Sequence, residues 1–457
     1  MEHLDAVIIG TGQAGKPLAG ALAEARWRTA IIERDRVGGT CVVRGCTPTK
    51  TMLASARVAY LAGRAGDYGV RASDVSVDLE AVRRRKRDIV DDWSAGSQRG
   101  MERHETLELI FGTARFSEPR TVEVDLNDGG VRVLTADHIF INVGARPRVP
   151  PLPGLDSVPF LDSTTVMELG EVPEHLVVLG GGPIGLEFGQ MFRRFGADVT
   201  IVQRGRLASR EDEDVSDALE EIFRGEGIDV VTEAVARSVE TASGGFRLTV
   251  DVQRTERHIE GTHLLVAVGI LPNSDSLSLE AAGVEVDGRG YIVVNDRCET
   301  AADGVWALGD VTGAPAFTHV SYDDYRIVKK NLLDGGDASR AGRILPYTLF
   351  TDPSLGRVGM SEREAAAAGR RVRVAKLPLS RVARAIESDE TRGFMKAVVD
   401  TDTDEILGAA VLGVEGGEVA TVIQMAMMGG LPWTTLRDAS IAHPTFSESL
   451  NNLFMTL

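Results

Sequence analysis

Two cysteines five positions apart are the clearest sign of chemistry in this chain. Cys41 and Cys46 lie in the segment GGTCVVRGCTPTK. Five residues of a regular helix advance about 7.5 Å, which exceeds the roughly 7 Å Cα separation at which a disulfide becomes difficult to form. A bridge therefore requires an irregular turn, and the segment has four residues that permit one: Gly38, Gly39, Gly45 and Pro48. The alternative is that the two cysteines are unrelated core thiols.

A repeated glycine pattern predicts two dinucleotide sites. AVIIGTGQAG and VVLGGGPIGLE each follow an apolar run with glycines at G-x-G-x-x-G spacing and lead into a helix-like segment. The matching positions are Gly10, Gly12 and Gly15 in the first copy and Gly180, Gly182 and Gly185 in the second. In this context the pattern indicates two βαβ units, each with a pyrophosphate at a helix N-terminus. The alternative is a duplicated glycine turn with a purely structural role.

A dithiol beside two dinucleotide sites suggests an electron relay. Hydride would enter from one dinucleotide, pass through a flavin and leave through the thiols. The elements that position these groups form a fold of the α/β class. The pattern predicts a nucleotide-binding domain up to residue 149, a second one over 150–272, and a return to the first through GVWALGDV at 304–311. The basic run at 83–87 is interpreted as the solvated face of a long helix.

The charge balance excludes several classes of function. The 457 residues include 50 Lys and Arg against 67 Asp and Glu, which gives a net charge of −17. This acidic balance argues against a nucleic-acid partner, because the phosphates of nucleic acids favour a basic protein surface. No apolar run approaches the roughly 20 residues of a membrane span, and the first residues lack the basic segment of a signal peptide. Three cysteines are too few for a secreted disulfide scaffold. We therefore expect a cytoplasmic enzyme with no nucleic-acid or membrane partner and no metal site, in which Cys298 is a small buried hydrophobe.

Several motifs occur together in the order typical of one enzyme family: GTGQAG, GGTCVVRGCTPTK, GGGPIGLE, VAVGILPN, ALGDV and HPTFSE. With them the chain resembles the class I pyridine nucleotide–disulfide oxidoreductases, which include dihydrolipoamide dehydrogenase, glutathione reductase and mercuric reductase. The resemblance covers essentially the whole chain. It implies two Rossmann-like nucleotide-binding domains and a C-terminal α+β dimerisation domain. Their expected ranges are 1–149 with 273–344 for FAD, 150–272 for NAD(P)H, and 345–457 for dimerisation.

The resemblance implies that the first glycine loop binds FAD. Glu33 would bond the ribose hydroxyls, and Asp310 would bond the ribityl chain. Lys50 and Glu187 match an ion pair beside the flavin ring, where a cation stabilises the charge of reduced flavin. The other positions expected to touch this cofactor are Gly10, Gly12, Gly15, Thr40, Ala114 and Thr318.

The second glycine loop would bind the nicotinamide coenzyme, together with Gly269. NAD-specific members of the family have an acidic residue where this chain has Gln203. Arg204 follows directly, and Arg210 lies six residues further on. Loss of the carboxylate and gain of cations suit a 2′-phosphate, so we expect NADPH to be preferred, with NADH possible. The alternative is a solvated basic turn that confers no coenzyme preference.

The resemblance also divides the work of the thiols. The roles of exchange with substrate and of charge-transfer contact with flavin pass to Cys41 and Cys46, respectively. His443 matches the family's acid–base, which the other subunit contributes, and Glu448 would orient it. A surface His-Pro turn without a role is the alternative. A shared site implies a homodimer.

We therefore expect an FAD-dependent reductase that passes electrons from NADPH through FAD to a Cys41–Cys46 disulfide, and then to a disulfide or a thiol-binding metal ion. Arg44 between the cysteines departs from the family pattern and adds a cation near the dithiol. The C-terminal cysteine pair of mercuric reductase has no counterpart here, so mercury delivery by that route is not expected. The alternatives are an NAD-dependent subunit like dihydrolipoamide dehydrogenase within a larger complex, and a redox-sensing flavoprotein without catalytic activity.

Overall fold

The structure is a computed structural model that describes residues 2–457. The chain forms two compact units. The first comprises the chain up to Met52, Ala81–Arg148 and Gly269–Arg343, and the second comprises Leu53–Glu80, Val149–Val268 and Ile344–Leu457. The three-domain division, with boundaries after residues 149, 272 and 344, stays a prediction.

The first unit is built on a sheet whose parallel strands occur in the order Leu107–Glu118, Thr29–Glu33, Glu2–Ile9, Val131–Ile141 and Val305–Ala307. Thr121–Leu126 runs antiparallel to two of these strands, and Ala145–Pro147 pairs separately with Ile270–Pro272. The helices with most of their length in this unit are Gly15–Glu24, Gly39–Val43, Leu79–Glu102 and Thr318–Leu332. Strand Glu2–Ile9 ends in four buried residues because it lies in the middle of the parallel sheet.

The second unit contains a second parallel sheet, with the strand order Asp229–Val231, Asp198–Val202, His175–Leu179, His263–Val266 and Phe160–Leu161. An antiparallel meander packs beside it: Ala234–Ala242, Gly245–Val252 and Thr255–Gly261. The helices that flank this sheet are Pro183–Phe195 and Glu213–Gly225.

The C-terminal part of the second unit is an antiparallel sheet with helices. Its strands occur in the order Pro346–Leu349, Ser354–Gly359, Ile406–Gly413, Phe394–Asp400 and Val372–Pro378. Its helices are Glu362–Ala367, Ala383–Glu387, Gly416–Met428, Trp433–Asp438 and Ser449–Phe454. Together, the two parallel sheets and this α+β part confirm the predicted fold class.

Helix Cys46–Gly63, which we call the dithiol helix, begins in the first unit and continues in the second. Short 3₁₀ turns complete the elements: Ala65–Tyr68, Leu155–Ser157, Thr165–Glu168, Leu279–Ala282, Gly309–Thr312 and Leu379–Arg381.

The basic run at 83–87 differs in part from its prediction. It does lie in a long helix, Leu79–Glu102. Lys86, however, is only 3% exposed, and Arg85 donates a hydrogen bond to the main-chain carbonyl of Thr51 at 2.9 Å. The prediction of a solvated helix face therefore holds for Arg84, Arg85 and Arg87, which are exposed, and fails at Lys86, which is buried.

Candidate active site

The two cysteines occupy the irregular turn that their spacing requires. Helix Gly39–Val43 carries Cys41 and ends at Val43, and the dithiol helix starts at Cys46. Gly38 and Gly39 enter the turn with φ values of 124° and 63°, which side chains rarely tolerate. A Cβ on Gly39 would lie 2.6 Å from the Cα of Gly12. Residues 38–46, which we call the dithiol turn, therefore pack directly on the first glycine loop, and only glycine permits that approach.

The two thiol groups have different surroundings. The hydrogen bond with Cys46, followed by burial, raises the pKa of Cys41, while Thr318 and the charge of Lys16 oppose the rise. Cys46 Sγ lies 3.2 Å from the hydroxyl oxygen of Thr318. Lys16 Nζ donates to Ser97 Oγ at 3.1 Å. The pair can therefore hold one proton between the two sulfur atoms, with a cation and a hydroxyl group nearby.

The first glycine loop closes on a residue that the sequence analysis missed. Asn142 Oδ1 accepts a hydrogen bond from the main-chain N–H of Gly15 at 2.9 Å, and its Nδ2 donates to the carbonyl of Leu308 at 2.8 Å. A Cβ on Gly12 would lie 2.5 Å from Asn142 Oδ1, and one on Gly10 would lie 2.4 Å from the Asn142 carbonyl oxygen. The signal for Asn142 was its position at the carboxyl end of a parallel strand, where the loops of such sheets meet.

Glu33 is held at the carboxyl end of strand Thr29–Glu33. Its Oε2 accepts hydrogen bonds from the hydroxyl and the main-chain N–H of Thr11, the latter at 3.2 Å. Thr11 Oγ1 in turn accepts from the N–H of Gly38 at 3.0 Å. Thr11 thus joins the acidic residue, the glycine loop and the dithiol turn, a role that the sequence analysis did not assign.

The remaining predicted FAD contacts lie in the first unit as well. Thr40 is in the dithiol turn, Lys50 is in the first part of the dithiol helix, and Thr318 begins a helix. Ala114 is buried in strand Leu107–Glu118. Asp310 lies in the turn Gly309–Thr312, where burial, and then the charges of Cys46 and Asp324, raise its pKa to about 6.

These residues fit a flavin nucleotide. The glycine loop presents bare main chain, which a pyrophosphate needs for close approach. A buried carboxylate stands at the end of the second strand, where a ribose would lie. The contacts themselves stay a prediction, as does the ion pair between Lys50 and Glu187.

The second glycine loop repeats the close approaches of the first at its first and third glycines and differs at the middle one. A Cβ on Gly180 would lie 2.4 Å from the carbonyl oxygen of Ala267, and one on Gly185 would lie 1.9 Å from that of Gly180. A Cβ on Gly182 would meet nothing within 4 Å, so this position faces open space. Gly269 has a φ of 115°. Glu187 is 5% exposed in the helix that follows the loop, and it accepts the N–H of Phe350 at 3.0 Å.

Gln203 is engaged with main chain. Its Oε1 accepts from the N–H of Gly181 at 2.9 Å, and its Nε2 donates to the carbonyl of Arg206 at 3.3 Å. Arg204 and Arg210 are exposed. Gln203 therefore shapes the loop after strand Asp198–Val202, while the two arginines project from it.

His443 and Glu448 form a hydrogen-bonded pair in the second unit. His443 Nδ1 lies 2.8 and 3.0 Å from the two carboxylate oxygens of Glu448. A carboxylate accepts only, so Nδ1 donates and Nε2 is left to exchange protons. The histidine side chain is 65% exposed. The described part of the chain, residues 2–457, contains no cluster of three or more His, Cys, Asp or Glu side chains arranged to hold a metal ion. Of the helices described, none is long and apolar enough to span a membrane.

Comparison with known proteins identifies relatives over the full length. Residues 4–324 match the family described as pyridine nucleotide-disulphide oxidoreductase, and residues 345–454 match the dimerisation domain of that family. The chain is 39% identical to the probable pyridine nucleotide-disulfide oxidoreductase RclA of Escherichia coli, with 99% of each chain covered. It is 36% identical to a mercuric reductase of Streptomyces lividans, with 98% and 97% covered.

Solved structures give the same result. A Cu(II) complex of the HOCl-induced flavoprotein disulfide reductase RclA from Escherichia coli matches with a TM-score of 0.90 and 38% identity, covering 100% of this chain and 99% of that chain. LpdA from Mycobacterium tuberculosis matches with a TM-score of 0.89 and 27% identity over the same shares.

Proposed function

Because the chain belongs to the class I family of pyridine nucleotide–disulfide oxidoreductases, an FAD-dependent family of flavoprotein enzymes, we propose that it is an NADPH-preferring reductase that works through Cys41 and Cys46. The observation that carries the proposal is the dithiol turn packed on the first glycine loop, with Cys46 beside Thr318. We place the reaction in the cytoplasm, where thiols are kept reduced.

FAD, when bound, supplies the chemistry that converts a hydride from the coenzyme into an electron pair for the dithiol. Gly12 would admit its pyrophosphate, Glu33 would hold a ribose, and Asp310 would hold the ribityl chain. Lys50 would provide positive charge beside the ring system. These residues bind and orient the group, and the thiols perform the exchange.

The thiols act in turn on a disulfide substrate. Reduction of the Cys41–Cys46 bond takes up two electrons and one proton, which leaves one thiol and one thiolate. The Cys41 thiolate attacks one substrate sulfur, so a mixed disulfide forms while the substrate S–S bond breaks and releases a thiolate. Cys46 then attacks Cys41, restores the protein disulfide and releases the second substrate thiol. The net reaction consumes two electrons and two protons for each disulfide.

His443 of the partner subunit supplies and removes the protons. Its Nδ1 is held by Glu448, so the Nε2 atom can protonate the departing substrate thiolate and can accept the proton of Cys41 before attack. A homodimer follows, since the family's dimerisation domain is present and each site would combine two chains.

The coenzyme preference rests on three residues. Gln203 replaces the acidic residue that holds the ribose hydroxyls of NAD, and its amide is engaged with main chain. Arg204 and Arg210 project from the same loop and can pair with a 2′-phosphate. A charge-assisted contact contributes about 1.5–3 kcal/mol when buried and less when exposed, so we expect NADPH to be favoured by about ten- to a hundredfold.

The acceptor is a disulfide or a metal ion that binds thiols. The solved RclA structure is a Cu(II) complex, and other relatives are named mercuric reductases. Return of the dithiol pair to the disulfide releases two electrons. One Hg(II) ion bound by the sulfur atoms would take both electrons, whereas Cu(II) takes one, so two Cu(II) ions would be reduced for each disulfide formed. Cu(II) and Hg(II) are therefore the metal ions proposed.

Steady-state turnover with NADPH and NADH against small disulfides, lipoamide, Cu(II) and Hg(II) tests this function. We expect turnover of a disulfide or a metal ion with a higher kcat/KM for NADPH, and none in Cys41→Ser. Efficient turnover of lipoamide with NADH would favour the alternative of a dihydrolipoamide dehydrogenase-like subunit. Absence of any turnover by the flavin-loaded wild type would favour a sensor.

A further inference from the structure

The C-terminal α+β part of the second unit contacts the loop that carries Arg204 and Arg210, which we call the coenzyme loop. Arg363, in helix Glu362–Ala367, donates from Nη2 to the main-chain carbonyl of Arg210 at 2.8 Å. The guanidinium of Arg363 therefore lies against the segment from which Arg210 projects. Arg363 is itself exposed, so it remains accessible to a ligand at that surface.

The residues after Arg210 fasten the same segment. The carboxylate of Asp212 accepts the main-chain N–H groups of Glu362 and Arg363 at 3.0 and 3.1 Å, and it pairs with Lys396 Nζ at 3.0 Å. These bonds fix the position of Arg363 relative to the coenzyme loop.

A buried ion pair with Arg357 holds Glu211, the residue between Arg210 and Asp212. We call this pair the Glu211 anchor. Glu211 is 4% exposed, lies 2.8 Å from Arg357 Nε, and accepts a hydrogen bond from the hydroxyl of Tyr347. Breaking a buried pair by removing one partner is costly because the other charge stays buried. The segment that carries Arg210 is therefore anchored before any ligand arrives.

Three arginines at this surface form no side-chain ion pair in the described part of the chain, although the Asp212 carboxylate lies beside the main chain of Arg363. Within residues 2–457, the guanidinium groups of Arg204, Arg210 and Arg363 contact no carboxylate, whereas nearby Arg206 pairs with Asp217. A guanidinium group that forms no ion pair can give bidentate hydrogen bonds to a phosphate dianion.

We propose that Arg363 is a third cation for the 2′-phosphate of the coenzyme, so that the C-terminal part of the chain takes part in coenzyme selection. This inference rests on the proposed preference for NADPH. Arg363 contributes positive charge beside the segment that carries Arg210, and Gln203 shapes the coenzyme loop. The Glu211 anchor fixes the position of that segment. The selectivity for NADPH then depends on two parts of the fold.

The test measures binding to the FAD-loaded dimer by calorimetry, with 2′,5′-ADP as the probe that carries a 2′-phosphate and 5′-AMP as the probe that lacks one. Arg363→Gln should weaken 2′,5′-ADP about five- to tenfold and leave 5′-AMP unchanged. Arg363→Lys should restore part of the affinity, and the loss should shrink at about 0.5 M salt because the contact is electrostatic. Arg381→Gln, an exposed arginine of the same part of the chain, is the matched control and should bind as wild type.

Steady-state kinetics provide the second measurement. Arg363→Gln should raise KM for NADPH by the same factor, with kcat and the KM for NADH unchanged. Equal losses for both coenzymes, or for both nucleotide probes, would overturn the inference because they indicate general damage. If Arg210→Gln lowers NADPH selectivity but Arg363→Gln does not, the inference is wrong and the proposed function stands. If the wild type has no preference for 2′,5′-ADP over 5′-AMP, the coenzyme assignment itself fails.

Discussion

Cys41 and Cys46 are chemically unequal although one short turn carries both. Cys46 touches the hydroxyl of Thr318, and its hydrogen bond to Cys41 raises the pKa of the Cys41 thiol. Cys41 therefore resists ionisation, so a base must take its proton before it can attack a substrate sulfur. In the proposed mechanism His443 of the partner subunit is the base that takes this proton.

The hydrogen bond from Tyr347 to Glu211 should stabilise the folded protein. Tyr347→Phe removes one hydrogen bond from a buried carboxylate, so the free energy of unfolding at pH 7 should fall by about 1–3 kcal/mol. Burial already raises the pKa of Glu211, and loss of the hydroxyl raises it further. The folded variant therefore takes up a proton as the pH falls, and the loss of stability should diminish below the raised pKa.

Urea unfolding of the wild type and of Tyr347→Phe at pH 7 and pH 5 measures this effect. The control is Tyr322→Phe, because Tyr322 is 38% exposed. A deficit that is absent at pH 7, or that grows at pH 5, would show that Tyr347 does not support an ionised Glu211.

At the scale of elements, two substitutions in the second glycine loop distinguish the glycine that the tight turn needs from the glycine that faces the proposed ligand. Gly185→Ala places a Cβ 1.9 Å from the Gly180 carbonyl, so it should destabilise the second unit by several kcal/mol. Gly182→Ala meets nothing within 4 Å, so its stability should stay within about 0.5 kcal/mol of wild type. The added methyl group should nevertheless weaken NADPH binding, because it occupies the surface that a pyrophosphate would approach.

Thermal unfolding and NADPH titration of both variants check this pair. FAD content should be unchanged in Gly182→Ala, since that position belongs to the second loop. Normal NADPH affinity in a folded Gly182→Ala would place the coenzyme elsewhere.

The elements that the sequence predicted are those with local signals. Strand, glycine loop and helix follow one another within about 30 residues, and the turn at Cys41 follows from nearby glycines. Asn142 bonds to Gly15 across 127 positions, and Tyr347 bonds to Glu211 across 136. Neither pairing has a periodic or local signature, because chain folding alone brings these residues together. Lys86 was misassigned for the same reason, since tertiary packing decides which side of a charged helix is covered.

At the scale of the whole molecule, the proposed active site requires two chains. His443→Ala should slow disulfide turnover by about 10²–10⁴-fold, as expected for loss of an acid–base, while flavin reduction by NADPH stays nearly unchanged. Mixing His443→Ala with Cys41→Ser should restore activity, since each mixed dimer has one site with intact cysteines and an intact histidine. Random exchange makes half of the dimers mixed, so about a quarter of wild-type activity is expected. Mixed dimers that mass spectrometry detects but that remain inactive would argue against a shared site.

The central claim is that electrons from NADPH reach the acceptor through the Cys41–Cys46 pair. Anaerobic titration of the oxidised FAD enzyme with NADPH, followed by alkylation and peptide mass spectrometry, tests it most directly. The account predicts that reduction makes Cys41 and Cys46 alkylatable together while buried Cys298 stays unlabelled, and that added disulfide or metal-ion acceptor reverses the labelling at the rate of turnover. The claim would be contradicted if NADPH did not change the alkylation of Cys41 and Cys46, or if Cys41→Ser turned over the same acceptor at the wild-type rate.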